Sequence, residues 1–581
     1  MSASSKKKLR KEQETEQLTQ RQKQAKKDAK KLRTQTILFI VIIALVFTTV
    51  LGVLAWKGIK DSGILQKNIT ALTVGNHKIS TAMLNYFYMD AISNQYSSWQ
   101  QSFSTYTDQY LAQYFGLDTT KELNKQYYNE EEKITWADYF TQVAINDAKS
   151  CYAIYDKAVA AKYTLQGEAL KEYNGWIENY TYQAELYQTK VDDIVKANYG
   201  PGSDFASLKE YLKVLITSQA YAQDYADSLT YDNEELRKHE TGREHEFNSY
   251  SFATYHLSYT KYPALGTTDA NNKTTFTDAQ KKAALEAAKK DAESLVAGLE
   301  AAKKDPSKLP EVKEDENPYL KKFDALIADL KCNEGNKSAI ATKAEDQPYA
   351  DLNENLKKWL GDPARKEGDT TVIANISTTK NDDGTETKVT NGYFAVYFTG
   401  KDDNSRPLAN VRHLLVKFEG GKQDAEGNMT YNDTEKAVAK KEAEEFLADW
   451  EKKKTEEYFI ELVKKYSDDT SAEEGGLFED ISPDSPYVEE FLNWSLDKDR
   501  KKGDCEIIET QYGYHLMYYV GDDEVTYRDQ MITEQLKETA YTEWYNGIVN
   551  AATMKEGNTH FLRRDFIIAS SLSASNGSIG F

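Results

Sequence analysis

The stretch Val411-Arg-His-Leu-Leu-Val-Lys417, continued by Phe418, alternates apolar and polar residues in the manner of a β-strand. This alternation places His413 on one defined face of the strand. Far along the chain, residues 505–510 and 514–520 predict two further strands, and the second of them carries His515. The ends of this region therefore predict a compact unit to which each end contributes a histidine.

The sequence between these strands predicts helices at about 433–452, 455–466 and 488–496, and the second of them is amphipathic, with Phe459, Ile460, Leu462 and Val463 at helical spacing. A turn-rich stretch, Ser467-Asp-Asp-Thr-Ser-Ala472 followed by Gly475-Gly476, separates the second helix from the third. Helices framed by strands indicate an α+β domain over residues 406–524.

The same landmarks occur in the preceding region, in the same order. Tyr255-His-Leu257 matches Arg412-His-Leu414, Trp359 precedes Gly368 as Trp494 precedes Gly503, and Asn391-Gly-Tyr-Phe394 matches Tyr512-Gly-Tyr-His515. This repetition predicts a second α+β domain at residues 246–405, with longer loops and a hairpin near 381–384.

The rest of the sequence after residue 56 predicts mainly helices. Residues 57–245 open with a short strand and turn and continue with apolar and aromatic residues at helical spacing, which predicts an all-α domain. Its tyrosines fit the core-facing stripe of amphipathic helices better than a substrate-gripping surface. Residues 525–581 predict a helix that returns to this domain, followed by a small, polar tail.

The N-terminus predicts a membrane anchor. Residues 1–35 contain 12 Lys/Arg and 4 Asp/Glu, whereas residues 36–56 contain no charged residue. A helix over 36–56 would be about 31 Å long, which matches the hydrocarbon core of a bilayer. The alternatives are a buried core helix or a cleaved signal peptide, but the apolar stretch is long and no small-x-small cleavage site precedes Lys57. The positive-inside rule then predicts a cytoplasmic tail and an extracytoplasmic location for the bulk of the chain.

Composition excludes several classes of protein. The chain has 581 residues with 40% hydrophobic and 29% charged residues, which is typical of a folded multidomain protein. A net charge of −20 argues against a nucleic-acid partner. Three widely spaced cysteines cannot build a disulfide framework or a Cys-x-x-Cys metal site, and no phosphate-binding loop or zinc motif occurs. We expect neither a metal nor a cofactor.

Three motifs of the C-terminal repeat resemble the parvulin-type peptidyl-prolyl isomerases: the strand at 411–417, the turn-rich stretch Tyr466–Gly476, and Thr510-Gln-Tyr-Gly-Tyr-His-Leu516. The wider layout is similar to extracytoplasmic foldases of the PrsA/SurA kind, in which parvulin domains interrupt a helical chaperone domain. The expected fold is therefore multidomain α+β: one transmembrane helix, an all-α chaperone domain and two tandem parvulin-like domains.

The resemblance implies a role for particular residues. His413 and His515 would face each other beneath the substrate proline, with Asp469 and Tyr512 in the same hydrogen-bond network. The proline pocket would fall on Leu477 or Phe478 and on Phe491. In the first copy Phe394 stands where His515 would, and a phenylalanine cannot join such a network, so that copy is predicted to be degenerate and non-catalytic.

These features predict a membrane-anchored isomerase and chaperone that acts on unfolded or secreted polypeptides and their X-Pro segments. The main alternative is a non-catalytic holdase whose two repeats serve only as binding surfaces, the histidines being ordinary core residues. A third interpretation, a surface adhesion or wall-assembly protein, has no positive sign in the sequence.

Overall fold

The computed structural model describes residues 62–103, 107–269, 273–313, 316–380, 385–424 and 429–569. The predicted tail at 1–35, the predicted span at 36–56 and the predicted hairpin near 381–384 lie outside these ranges. Within them, no helix combines the length and the apolar character that crossing a membrane requires.

The chain divides into two compact units. Of the described residues, those within 62–229 and 539–569 form the first unit, and those within 230–538 form the second. The second unit is therefore inserted into the sequence of the first.

The first unit is mainly helical. Its helices are α1 (Ile64–Asn68), α2 (Thr81–Phe103), α3 (Thr107–Tyr114), α4 (Trp136–Ala160), α5 (Gly167–Leu186), α6 (Val191–Tyr199) and α7 (Phe205–Ser228). Thr135 and Asp204 form capping boxes at the starts of α4 and α7, which satisfy backbone N–H groups that a helix leaves unpaired. One core of buried aliphatic and aromatic side chains joins helices α2 to α7.

A small sheet ties the two ends of the described chain together within this unit. Strand β1 (Thr70–Val74) pairs on one side with β2 (His77–Ser80) and on the other with the C-terminal strand Met554–Glu556, where Leu72 lies opposite Glu556. A separate two-stranded ribbon consists of β3 (Tyr127–Asn129) and β4 (Ile134–Thr135).

The second unit begins with helix α8 (Asn233–Glu240) and contains two four-stranded antiparallel sheets. The first sheet consists of β5 (Ser249–Ser258), β8 (Thr342–Pro348), β9 (Thr370–Lys380) and β10 (Glu386–Asp402), in the order β8-β5-β10-β9. The short strands β6 (Thr267–Thr268) and β7 (Thr274–Thr275) form a ribbon in its first connection. Its helices are α9 (Asp278–Lys304), α10 (Pro318–Ala328) and α11 (Glu354–Leu360).

The second sheet follows the same plan. It consists of β11 (Pro407–Lys417), β14 (Leu477–Ile481), β15 (Cys505–Thr510) and β16 (Gly513–Thr526), in the order β14-β11-β16-β15, with a ribbon of β12 (Lys422–Gln423) and β13 (Met429–Thr430). Its helices are α12 (Asp433–Trp450), α13 (Glu456–Tyr466) and α14 (Glu489–Ser495). The last helix, α15 (Tyr527–Ala551), begins in the second unit and ends in the first, before β17 (Met554–Glu556).

Local contacts repeat between the two sheets. Arg365 covers the ring of Trp359 and donates Nε–H to its carbonyl at 3.2 Å, and Arg500 does the same to Trp494 at 3.1 Å. Gly368 N–H donates to Phe398 O at 2.8 Å, as Gly503 N–H donates to Tyr519 O at 2.9 Å. The repeated landmarks of the sequence therefore occupy equivalent turns.

Strand register corrects one match between the copies. Gly392 lies opposite Ser258 in the first sheet, and Gly513 lies opposite Lys417 in the second. Counted from these glycines, Phe394 occupies the position of His515, as expected. His256, however, falls at the position of Leu415, and Thr254 occupies that of His413. The matching of His256 with His413 was thus wrong by two residues. A shift of two residues keeps a side chain on the same face of its strand, so an alternating pattern of apolar and polar residues does not reveal it.

Candidate active site

Alternate residues along each strand of the second sheet project to opposite faces of the sheet. Leu414, Val416, Leu516 and Tyr518 pack with helices α12 and α13 on one face. Val411, Met517 and Tyr519 pack with Phe491 and Trp494 of α14 on the other. His413 and His515 lie in register with this second set, so both project toward the face covered by the short helix.

The two histidines are diagonal neighbours on adjacent strands. His413 pairs with Met517 and Leu415 pairs with His515, an offset of two residues that brings same-face side chains within reach. The His413 Nδ1 and His515 Nδ1 atoms are 2.9 Å apart, and the rings stack at 15°. The histidines are 3% and 5% exposed, respectively, so each depends on its protein partners for hydrogen bonds.

A loop pinned to β11 brings Asp469 to this pair. Leu415 N–H donates to Ser467 Oγ at 3.1 Å, and Asp468 N–H donates back to Leu415 O at 2.9 Å. Asp469 Oδ1 then lies 3.5 Å from His413 Nε2 and accepts the hydroxyl hydrogen of Ser471 at 2.6 Å. The proximity of His413 and the Ser471 hydrogen bonds hold the pKa of Asp469 well below its usual value, so the residue is a carboxylate at neutral pH.

The loop approaches the strand closely because a glycine stands at 476. Gly476 has φ +66° and accepts a hydrogen bond from His413 N–H at 3.0 Å. A Cβ at this position would lie 2.2 Å from the carbonyl oxygen of His413. Only glycine therefore permits this contact without displacing the catalytic strand.

One chain of polar contacts links both rings to the residues around them. The Tyr512 backbone N–H donates to Thr510 Oγ1 at 3.1 Å, and Thr510 lies 2.9 Å from His515 Nε2. His515 Nδ1 and His413 Nδ1 form the central contact at 2.9 Å. At the other end His413 Nε2 lies 3.4 Å from Ser471 Oγ and 3.5 Å from Asp469 Oδ1. Because Ser471 donates its hydroxyl hydrogen to Asp469, both oxygens face His413 Nε2 as acceptors.

Burial lowers the pKa of His515 to about 3, and the neighbouring His413 acts in the same direction. In the unfolded chain a histidine has a pKa near 6.5. The pKa of this histidine is thus higher in the unfolded state than in the folded state. The unfolding free energy is therefore unaffected by His515 above about pH 6.5 and decreases as the pH falls from there toward about 3.

We therefore expect the unfolding free energy to fall between pH 7 and pH 5 in the wild-type chain, and to fall by up to about 2 kcal/mol less in the His515→Phe variant. Urea unfolding of both proteins, followed by hydrogen exchange of peptides from 407–526, measures the difference. Parallel pH profiles for the two proteins would contradict the buried, neutral state of His515.

Three aromatic rings line the histidines. Phe478 and Phe491 meet the His413 ring edge-on, with centroid distances of 4.9 and 5.6 Å. Tyr487 packs against both phenylalanines at 5.2 Å. These rings form an aromatic wall, defined as Phe478, Tyr487 and Phe491, of the kind that packs against a pyrrolidine ring.

The structure places most of the predicted site residues together but separates two of them. Tyr512 is 56% exposed, and its backbone N–H, rather than its ring, bonds to Thr510. Leu477 lies opposite Arg412 across the ladder, whereas Phe478 lies opposite Val411, so Leu477 projects toward the other face of the sheet. Tyr512 and Leu477 are therefore removed from the predicted network and pocket.

Three contributors were missed in the sequence. Thr510 and Ser471 supply hydroxyl groups to the network, and Tyr487 completes the aromatic wall. Thr510 and Ser471 lie inside the quoted motifs, and their short polar side chains were the available signal. Tyr487 lies in a proline-rich loop, where no periodic pattern assigns a face.

Part of the chain matches a family of known proteins. Residues 396–521 match the PPIC-type PPIase domain family. No curated protein sequence matched the chain. Among solved structures, the chain is similar to the PPIase domain of TbPar42, with 25% identity over 19% of this chain and 99% of that one and a TM-score of 0.16.

Two PrsA structures are also similar. Peptidylprolyl isomerase (PrsA) from Bacillus cereus shares 21% identity over 25% of this chain and 49% of that chain, with a TM-score of 0.17. PrsA from Bacillus subtilis shares 13% identity over 72% of this chain and 88% of that chain, with a TM-score of 0.25.

The family match and the paired histidines define the class: residues 396–521 are a PPIC-type, or parvulin, peptidyl-prolyl cis-trans isomerase domain. The predicted parvulin resemblance of the C-terminal repeat is thus confirmed.

Proposed function

We propose that this chain is a membrane-anchored, extracytoplasmic foldase that couples prolyl isomerisation to the holding of unfolded or secreted polypeptides. The observation that carries the proposal is the contact of His413 with His515 beside the aromatic wall. The proposed substrate of this site is an X-Pro peptide bond.

The chemistry requires neither a nucleophile nor a metal. Rotation about an X-Pro bond has a barrier of about 18–20 kcal/mol because amide resonance is lost in the twisted state. A site that fits the twisted amide better than either planar form lowers this barrier, by a factor of ten in rate for each ~1.4 kcal/mol. Here the aromatic wall would hold the proline ring, and the linked imidazoles would present a fixed polar surface to the rotating amide.

The first sheet supports the proposal that only the second of the two repeated domains catalyses isomerisation. Its strand order matches that of the second sheet. Phe394, however, packs on His256 with a ring-centroid distance of 4.7 Å, and His256 Nε2 accepts a hydrogen bond from the Asn375 side-chain amide at 2.9 Å. We assign residues 246–405 to a degenerate parvulin-like domain without isomerase activity, because Thr254 and Phe394 occupy the positions of His413 and His515 there.

Exposed aromatic side chains support the holding of clients by the first unit. Tyr114, Tyr182 and Tyr187 are each more than half exposed there. Such residues offer rigid apolar area to unfolded chains. The proposed anchor rests on the charge and apolar pattern of residues 1–56.

The alternative is a holdase in which neither of the two repeated domains catalyses prolyl isomerisation. The degenerate first site favours it, since neither of the two histidine positions carries an imidazole in that copy. It predicts client binding without any acceleration of prolyl isomerisation.

A refolding assay separates the two functions. The full chain is added in small amounts to an unfolded protein whose slow refolding phase is limited by prolyl isomerisation. We expect catalytic acceleration of this phase, and stoichiometric suppression of aggregation at higher concentrations. A client without a proline-limited phase serves as the control and should show no acceleration.

Suppression of aggregation without acceleration would favour the holdase, and acceleration without suppression would remove the chaperone role. The anchor is tested by alkaline extraction of membranes from expressing cells. Release of the chain into the supernatant would contradict it.

A further inference from the structure

The helical unit contains a cavity of about 750 Å³, a volume in the range of ligand-binding clefts. Helices α2, α4 and α7 line it, together with the part of α15 that belongs to the first unit. The residues that matter for its chemistry are Phe87, Asp90, Asp147, Tyr211, Tyr541 and Tyr545. None of them belongs to the isomerase site.

The charges of the cavity all have one sign. Its lining, all within the described part of the chain, includes the carboxylates of Asp90 and Asp147 but no lysine, arginine or histidine. The Tyr211 hydroxyl donates to Asp90. A phenol is a neutral partner, so it leaves the negative charge of Asp90 uncompensated.

Burial raises the pKa of Asp90 to about 6, and the charge of Asp147 acts in the same direction. Partial burial also raises the pKa of Asp147, although this residue is exposed to solvent. No cationic side chain contributes to either shift. A carboxylate such as Asp90 that loses water without gaining a cation is costly, and this cost falls when a positively charged ligand enters.

The remaining walls favour an organic cation. Phe87 and Tyr211 meet edge to face at 4.9 Å, and Tyr541 stacks near Tyr545 at 6.1 Å. Aromatic rings attract ammonium and guanidinium groups and pack against their aliphatic stems. A metal ion would need more oxygen ligands, and the described residues contain no group of three or more His, Cys, Asp or Glu side chains that could hold one.

We propose that this cavity, the acidic cavity of the helical unit, binds a lysine or arginine side chain of an extended client polypeptide. The inference rests on the proposed holding of unfolded chains and assigns that activity a preferred side-chain class. Asp90 and Asp147 supply the charge, and the four aromatic residues hold the stem. Clients with a basic residue in an extended segment are therefore bound in preference to uncharged ones.

The test uses the full chain and two proline-free fluorescent peptides that differ at one central position, lysine or its uncharged isostere norleucine. Omitting proline keeps the isomerase site out of the measurement. We expect the wild type to bind the lysine peptide more tightly. Asp90→Asn and Asp147→Asn should each weaken that binding by about tenfold and leave the norleucine peptide unchanged.

Glu172→Gln is the matched control, because Glu172 is an exposed carboxylate on α5 outside the cavity. It should bind both peptides like the wild type. Thermal unfolding separates binding from folding: removing an uncompensated carboxylate should keep or raise the melting temperature, whereas a structural role would lower it.

Several results would overturn the inference. If the Asn variants bind the lysine peptide as tightly as the wild type does, the carboxylates do not bind it. If the variants lose affinity for the lysine and norleucine peptides equally, the site is apolar. Binding of free spermidine but of neither peptide would indicate a small-cation site.

Aggregation suppression, measured in parallel, separates this inference from the proposed function. If the wild type suppresses aggregation but shows no lysine preference, only the inference fails. If it neither suppresses aggregation nor binds either peptide, both fail.

Discussion

Replacing His515 with phenylalanine is expected to reduce kcat/KM of the full chain toward an X-Pro peptide by about a hundredfold or more, a loss of about 2.7 kcal/mol in transition-state stabilisation. The substitution removes the imidazole that lies 2.9 Å from both His413 Nδ1 and Thr510 Oγ1. The chain of hydrogen bonds would then end at His413, and the polar surface beneath the amide would be incomplete. The substituted site would match the first sheet, which has Phe394 at this position.

A protease-coupled isomerisation assay measures this effect. His256→Phe is the matched control, since it alters the corresponding face of the first sheet and should leave kcat/KM unchanged. Retention of most of the activity by His515→Phe would show that the paired histidines are structural. An equal loss in His256→Phe would assign part of the activity to the first sheet.

Replacing Arg528 with methionine is expected to lower the unfolding free energy of the second unit by about 3–5 kcal/mol. Arg528 is 8% exposed and forms an ion pair with Glu240. It also donates to Asn248 Oδ1 at 2.8 Å and to the carbonyls of Glu244, Phe247 and Asp403 at 2.7–3.1 Å. These acceptors lie on the segments that enter and leave the first sheet. Methionine therefore takes the partner from one oxygen of the buried Glu240 carboxylate, whose other oxygen stays paired with Arg237 at 2.7 Å, and removes a donor from several carbonyls.

Hydrogen exchange of peptides from 230–538 in increasing urea measures this stability without interference from the first unit. Lys238→Met, which removes an exposed cation from α8, should change the midpoint little. Adding Glu240→Gln to Arg528→Met should recover part of the loss, because a buried carboxylate held by Arg237 alone is then replaced by a neutral amide. A loss below about 1 kcal/mol for Arg528→Met would show that water replaces the arginine.

Local sequence patterns predicted the secondary structure of the isomerase domain closely. The helices expected at 433–452 and 455–466 were found at Asp433–Trp450 and Glu456–Tyr466, and the strand expected at 505–510 was found at Cys505–Thr510. Their periods are strong because each element has one buried face. The strand Leu477–Ile481 was missed, since it follows two glycines and has too few residues to show an alternation.

Face assignments were less secure than element boundaries. Leu477 and Phe478 are equally apolar, and only the pairing with Arg412 and Val411 assigns them to opposite faces. Tyr512 lies in the turn before β16, where the chain leaves the ladder and its ring turns to solvent. In both cases the choice depends on a neighbouring strand that is distant in sequence.

The sequence by itself determined the parvulin motifs, the two histidines, Asp469 and the order of the repeated landmarks, because these depend on residue identity and local periodicity. Tertiary structure alone decided the diagonal register that joins His413 to His515, the roles of Thr510 and Tyr487, and the convergence of Asp90 and Asp147 on one cavity. Such features arise where segments distant along the chain pack together. The residue pattern within a single helix or strand cannot encode the distance between atoms of two separate elements.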